Sequence, residues 1–371
     1  MFTPLLLAGL LTTAIPPFQR AVPLPAGSDA SSIYVDAQRA VLESRGQLTL
    51  IPRQGPVRSI PTKVTPEETN SSQFRGTQVL PSGEVQSLRL DFRACEAQLW
   101  RSSAGRPVAR LQGDFKEALS CGRETEYAFT PHFSPNGRSL ATADARGLRL
   151  WNTKDGTLIW QQPGSFSNVM HRPDGTHLVA VANTAKGLQL ELWRSDLKGR
   201  ISALRVPRTC LRAMTPGIDV DHEQVAFACQ GEVRVWNWRE SKVYELKRKD
   251  AGVEMDVAPV LFGHYVALNE HDRGAALWDI RSGQRLVQTQ VPAGVQVTDV
   301  AFALGGFLAV ALSDGTVQTY DPEKQGKFLR TEQVFRAAGK DQYLTLAFSG
   351  AWGQMLVVSG TQAQVIELPR G

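Results

Sequence analysis

The chain has 371 residues, 42% of them hydrophobic and 21% charged, with a formal net charge of +5. Those proportions exclude an extended disordered chain, which carries few apolar residues and a large charge imbalance. They also exclude a polybasic nucleic-acid binder, because the densest cationic run is Lys247-Arg248-Lys249 at a predicted strand end and no basic helix occurs.

The N-terminus reads MFTPLLLAGLLTTAIPP, apolar from Leu5 to Ile15. A bilayer span needs about 20 residues, so this stretch is too short for one. It fits the apolar core of a secretory signal, with Thr12-Thr13-Ala14 as a small-residue cleavage site. Residues 1–16 are read as that signal and 17–371 as one mature domain without a transmembrane span. No Lys or Arg precedes the apolar run, and no cysteine follows it to take a lipid. The expected location is secreted, or the periplasm and cell envelope.

Phe18–Leu24 reads as an isolated strand. Two segments, Pro61–Thr77 and Gly113–Thr125, read as extended loops, and the Arg75–Leu111 unit between them is the least regular of the chain. The clearest unit is Phe133–Gln162. In it, Pro135-Asn136-Gly137 turns, Ser139–Ala143 is a short strand, Asp144–Gly147 turns, Leu148–Trp151 is a strand, Asp155-Gly156 turns, and Thr157–Gln161 is a strand. Period-two alternation broken by turn residues every few positions is the pattern of an antiparallel meander.

A tryptophan-led motif then returns about every 42 residues: LRLW at Leu148–Trp151, LELW at Leu190–Trp193, VRVW at Val233–Trp236 and ALWD at Ala276–Asp279. One small four-stranded unit is being copied. Candidate third strands centre on Leu50, Leu99, Leu150, Leu192, Val235, Leu277, Val317 and Val365. The fold class is therefore all-β, a single β-propeller of eight four-stranded blades, with seven as the alternative. The last unit, Tyr343–Leu368, ends after its third strand. Pairing the N-terminal strand into that blade closes the ring and covers both open edges.

The unit resembles a WD40 repeat. Ser313-Asp314-Gly315-Thr316-Val317 and His171-Arg172-Pro173-Asp174-Gly175 carry its two turns, and Trp278-Asp279 is the literal dipeptide. Other units end in Trp151-Asn152, Trp193-Arg194, Trp236-Asn237 and Tyr320-Asp321. The usual Gly-His pair is present once, at Gly263-His264, and too close to Trp278. The resemblance is to divergent bacterial propellers and covers Tyr127–Tyr320 best. It implies a binding scaffold. The tryptophans at 100, 151, 193, 236 and 278 read as packing between blades, whereas Trp238 and Trp352 fall out of phase and are candidates for exposure.

Four cysteines, Cys95, Cys121, Cys210 and Cys229, suggest two disulfides, with three pairings open. In the propeller register, loops joining the second strand to the third, and one blade to the next, share a face called the top. All four cysteines reach it as two local pairs, Cys95–Cys121 and Cys210–Cys229.

On the same face, Asn269-Glu270-His271-Asp272-Arg273 occupies the second-to-third turn of the sixth blade, and Arg45, Arg146 and Lys186 occupy equivalent turns. Arg45, Arg146, Lys186, His271, Asp272 and Arg273 form the candidate binding rim. A second set, Asn168, Glu254, Asp256 and Asp299, sits near the upper ends of inner strands, where a divalent ion in the channel would polarise an ester or lactone. Asp219, Asp221, His222 and Glu223 read as a solvated polar turn on the opposite face. No G-x-S-x-G, P-loop or H-E-x-x-H motif occurs, and the six histidines have no acid or nucleophile at a useful spacing.

The reading that follows is a monomeric, non-catalytic module with no cofactor, binding a protein or cell-envelope partner and no nucleic acid. A metal-dependent propeller hydrolase or lactonase and a quinoprotein-like redox propeller are the alternatives; the tryptophan docking pattern that a quinone would need is missing.

Overall fold

A computed structural model describes residues 19–23, 32–35, 39–44, 47–52, 57–60, 72–80, 82–113, 115, 119, 129–196, 199–207, 210, 218–221, 223–229, 231–247, 259–270, 273–303, 306–335, 344–349, 354–359 and 362–367. Within these residues the chain forms eight four-stranded antiparallel sheets. Seven are simple meanders of four consecutive strands. The inner strands of neighbouring sheets touch in cyclic order, from the first blade to the eighth and back to the first. The molecule is thus a closed β-propeller of eight blades, and the seven-blade alternative falls. All eight predicted third-strand centres lie in observed third strands, including Leu50 in Gln47–Pro52 and Val365 in Gln362–Glu367.

Closure follows the expected route. The N-terminal strand Gln19–Pro23 pairs antiparallel with Gln362–Glu367, from Gln19 opposite Ile366 to Pro23 opposite Gln362. The eighth blade is therefore built from both ends of the propeller, and the ring has no unpaired inner gap. Residues 1–16, expected to be a signal segment, lie outside the described residues.

Middle strands are buried on both faces because each blade is sandwiched between two others. Tyr265–Asn269 and Leu308–Leu312 are buried at every position. Fourth strands are more exposed, and Arg106–Arg110 alternates strictly between exposed and half-buried residues, as expected where one face meets a neighbour. Near the axis, where the blades converge, second strands use small residues: Ala141, Ala143, Ala180, Ala226 and Ala267 are all fully enclosed.

Farther out, Trp100, Trp151, Trp193, Trp236 and Trp278 fill the widening gap and are between 0% and 6% exposed. Tyr320 takes the same place in the seventh blade, opposite Leu308 as Trp151 is opposite Leu140. Ile51 and Ile366 take it in the first and eighth blades. In five blades the third strand shifts register against the fourth at this bulky residue, for example between Leu150 and Trp151 and between Thr319 and Tyr320. Such a bulge adds local twist and bends the outer strand.

Turns repeat as well. In the triplets at Asp155, Asp174 and Asp314, one aspartate oxygen accepts both the backbone N–H and the hydroxyl of the threonine two residues on. The intervening Gly315 has φ +87°, and a Cβ there would stand 2.2 Å from the carbonyl oxygen of Phe335, so only glycine fits.

Three expectations need correction. Residues 72–77 are not loop: Ser72–Val79 is the inner strand of the second blade, with a register shift between Arg75 and Gln78 that hides its alternation. Trp238 is partly buried, edge-on to Trp236 at 6.1 Å between centroids. Asp219 is not in a solvated turn but inside the inner strand Ile218–Asp221. Trp352 and His222 lie outside the described residues.

Candidate binding face

Every blade runs its strands in the same sense, so all second-to-third turns and all blade-to-blade crossovers emerge on one face. Arg146 sits in the turn after Ser139–Asp144, Lys186 in the turn after His177–Thr184, and Arg273 in the turn before Ala275–Asp279. The topology therefore brings these three to the predicted face. Arg45, His271 and Asp272 fall outside the described residues.

The turns are held from within. Asp144 accepts the backbone N–H groups of Arg146 and Gly147 at 2.7 and 3.0 Å, and its other oxygen pairs with Arg149. Thr184 Oγ1 accepts the Lys186 N–H at 3.2 Å and donates to the Gly187 carbonyl at 2.6 Å. In the sixth blade, buried Glu270 binds Arg285 at 2.9 Å, whose guanidinium lies 5.2 Å from the centre of the Trp278 ring. Arg205, which no sequence pattern singles out, donates from Nη2 to the Lys186 carbonyl at 3.0 Å. Two exposed cations from one blade thus stand side by side.

Covalent staples reach the same face. Cys210, in the crossover from the fourth to the fifth blade, is bonded to Cys229 at the end of the strand Gln224–Cys229. Cys95 lies in the second-to-third turn of the second blade and is also disulfide-bonded. Its predicted partner, Cys121, lies outside the described residues.

Two members of the proposed channel set, Asn168 and Asp299, lie among the described residues. Asn168 belongs to the fourth blade and Asp299 to the seventh, while Glu254 and Asp256 lie outside those residues. Both Asp299 oxygens are engaged by backbone: Oδ1 by the Val300 N–H and Oδ2 by the Leu346 N–H of the next inner strand, each at 2.8 Å. Asp219 does the same toward the sixth blade, accepting the Leu261 N–H at 2.6 Å. As a residue each is half-buried, but its carboxyl group is enclosed between inner strands, and that burial pushes both pKa values up to about 6. Among the described residues no group of three or more His, Cys, Asp or Glu converges as a metal site, and no helix is long and apolar enough to cross a membrane.

One cleft opens where the third blade hands over to the fourth, with a volume of about 420 Å³. The crossover residues Pro163, Gly164 and Ser165 form its rim, and Phe166 and Trp193 lie in its wall. Glu191 and Arg200, paired at 2.8 Å, line it deeper along the blade. An acid two residues before the tryptophan in LELW is the sequence signal for this pair, set in a strand that is otherwise apolar or amide up to its terminal Arg194.

The sequence matches no protein-family model and no curated protein. Solved structures match the fold. A computationally designed protein, Ika8, superposes with a TM-score of 0.67 at 16% identity, covering 95% of this chain and 100% of its own. The C-terminal WD40 domain of Sif2 gives 0.62 at 15% identity, with coverage of 94% and 99%. BamB from Moraxella catarrhalis gives 0.61 at 12% identity, with coverage of 95% and 97%. At such identities the likeness is one of architecture.

Proposed function

We propose that this propeller is a non-catalytic binding module of an exported compartment, and that its top face holds an acidic surface of a protein partner. The adjacent cations Lys186 and Arg205 carry this reading. Like charges held together by their own backbone repel, and an anionic partner removes that repulsion while steering encounter. Arg146 in the third blade and Arg273 in the sixth add cations to second-to-third turns on the same face of the rigid scaffold. Disulfides at Cys210–Cys229 and at Cys95 fit an oxidising compartment and stiffen loops of that face.

The test is cross-linking capture from the native envelope fraction with wild type, with an Arg146→Ala/Lys186→Ala/Arg273→Ala variant, and with Lys154→Ala on the opposite face. The triple variant is expected to lose the partner and the control to keep it. Equal recovery by all three would overturn the assignment of the face.

A further inference from the structure

The cleft between the third and fourth blades has the length, charge and rigidity of a peptide groove. Its wall follows one strand from the level of Asn183, opposite Leu188, to that of Arg200, opposite Trp193. Five residues of strand rise span roughly 17 Å. A volume of about 420 Å³ drawn out over that length is narrow. It suits an extended chain better than a compact ligand.

The charges inside are already sorted. Glu191 is buried, and both its oxygens are taken, one by Arg200 Nη1 at 2.8 Å and one by the Trp193 indole N–H at 3.1 Å. Arg200 keeps half its side chain exposed while only Nη1 reaches Glu191, so a guanidinium with five N–H donors presents its remaining ones to the cleft. At the other end, Lys186 stands in the turn beyond Asn183, and Arg205, opposite Gln189, reaches its carbonyl. Cations therefore flank both ends of a groove whose single carboxylate is neutralised.

Between them, exposed Asn183 donates to Ser165 Oγ at 3.2 Å, which leaves its carbonyl oxygen and second N–H for main-chain amide groups. Trp193 stacks on Trp160 with centroids 5.6 Å apart, so its face is covered, which disfavours a sugar ring stacked there. The crossover is shaped to keep the mouth open: Gly164 has φ +146°, and a Cβ on it would lie 3.1 Å from the Phe166 ring.

We propose that this cleft binds an extended acidic peptide segment of the protein partner. The proposal rests on the reading of the top face as a protein-binding surface and deepens it by naming the element recognised.

The probe is a fluorescein-labelled hexapeptide of alternating aspartate and threonine, titrated against the full chain by anisotropy. Saturable binding is expected. Arg200→Ala should weaken it roughly tenfold, and Arg200→Lys should recover part of the loss, since charge returns without the planar fork. Asn183→Ala, at an exposed position that leaves the core untouched, should weaken it about threefold. A lysine-for-aspartate version of the peptide should not bind. Absence of saturable binding overturns the proposal. So does binding that neither Arg200→Ala nor Asn183→Ala alters in chains with wild-type melting curves. Equal competition by vesicles of anionic lipid would also overturn it, in favour of a membrane surface. Partner capture lost in the rim variant but intact in Arg200→Ala overturns the cleft alone, whereas capture intact in both overturns the top-face reading.

Discussion

The seam between the third and fourth blades and the seams between the fifth and sixth and the seventh and eighth solve one problem with opposite chemistry. Near the axis, the inner strand of one blade offers a side-chain acceptor to a backbone N–H of the next. His132 Nδ1 accepts from the His171 N–H at 3.2 Å. Asp219 accepts from Leu261 and Asp299 from Leu346. The imidazole does this as a neutral base, because burial lowers the His132 pKa from its ordinary 6.5 to about 4 and takes His171 well below its usual value. The carboxylates do it as acids whose charge is disfavoured by the same burial. A buried N–H needs an acceptor wherever two blades meet, and the fold is indifferent to which one. What differs is the response to protons and to loss of the group.

Loss of the group is the harsher way to break that comparison. Asp219→Ala removes the acceptor of the Leu261 N–H and of the adjacent Val220 N–H. Bonds to a charged acceptor contribute about 1.5–3 kcal/mol and an orphaned buried donor costs about 1–3 kcal/mol, so a loss of roughly 3 kcal/mol is expected. His132→Ala orphans the single N–H of His171 from a neutral acceptor and should cost about 1–2 kcal/mol. Urea denaturation of the two variants in parallel ranks them. Equal losses would mean that packing, rather than the acceptor, holds the seams.

Protons sharpen the same contrast with a smaller effect. As pH falls from 6.5 to about 4, the unfolded chain protonates its histidine while folded His132 stays neutral, so stability declines with acid in that window. Folded Asp219 and Asp299 instead take up protons near pH 6 while their unfolded counterparts stay ionised down to about 3.8, so acidification there adds stability. The two trends oppose each other. Asp219→Asn/Asp299→Asn should therefore lose stability more steeply than wild type between pH 6 and about 4, and His132→Asn should lose it less steeply. Parallel slopes in all three proteins would remove the titration argument.

The architecture was legible because its signal is redundant: eight third strands and five interleaved tryptophans each repeat one constraint. The seams were hidden for the opposite reason. His132 and Asp219 do one job with unlike residue types, so no repeat marks them, and Asp219 beside Asp221 looks like a polar turn until Leu261 is seen to donate to it. Ser72–Val79 was masked by its bulge, since one extra residue reverses the alternation that identifies a strand. On the face, the turn positions of Arg146, Lys186 and Arg273 follow from topology alone. Arg205 and Arg200 do not, because each lies in an outer strand where exposed arginine is ordinary, and only the fold sets one against Lys186 and the other in a cleft.

The rim supplies the smallest expected effect and the cleanest separation of roles. Lys186 is exposed, its turn is held by Thr184 rather than by its own ammonium, and Arg205 bonds to its backbone carbonyl rather than its side chain. Lys186→Glu should accordingly shift stability by no more than about 0.5 kcal/mol, as surface substitutions away from buried partners do. It places a carboxylate within reach of Arg205, so a slight gain is the expected sign. The same change reverses one charge of the face and should weaken partner binding in a salt-dependent way. If Lys186→Glu instead unfolded the chain as readily as Asp219→Ala, the top face would be part of what holds the blades together, and its cations would need no partner to explain them.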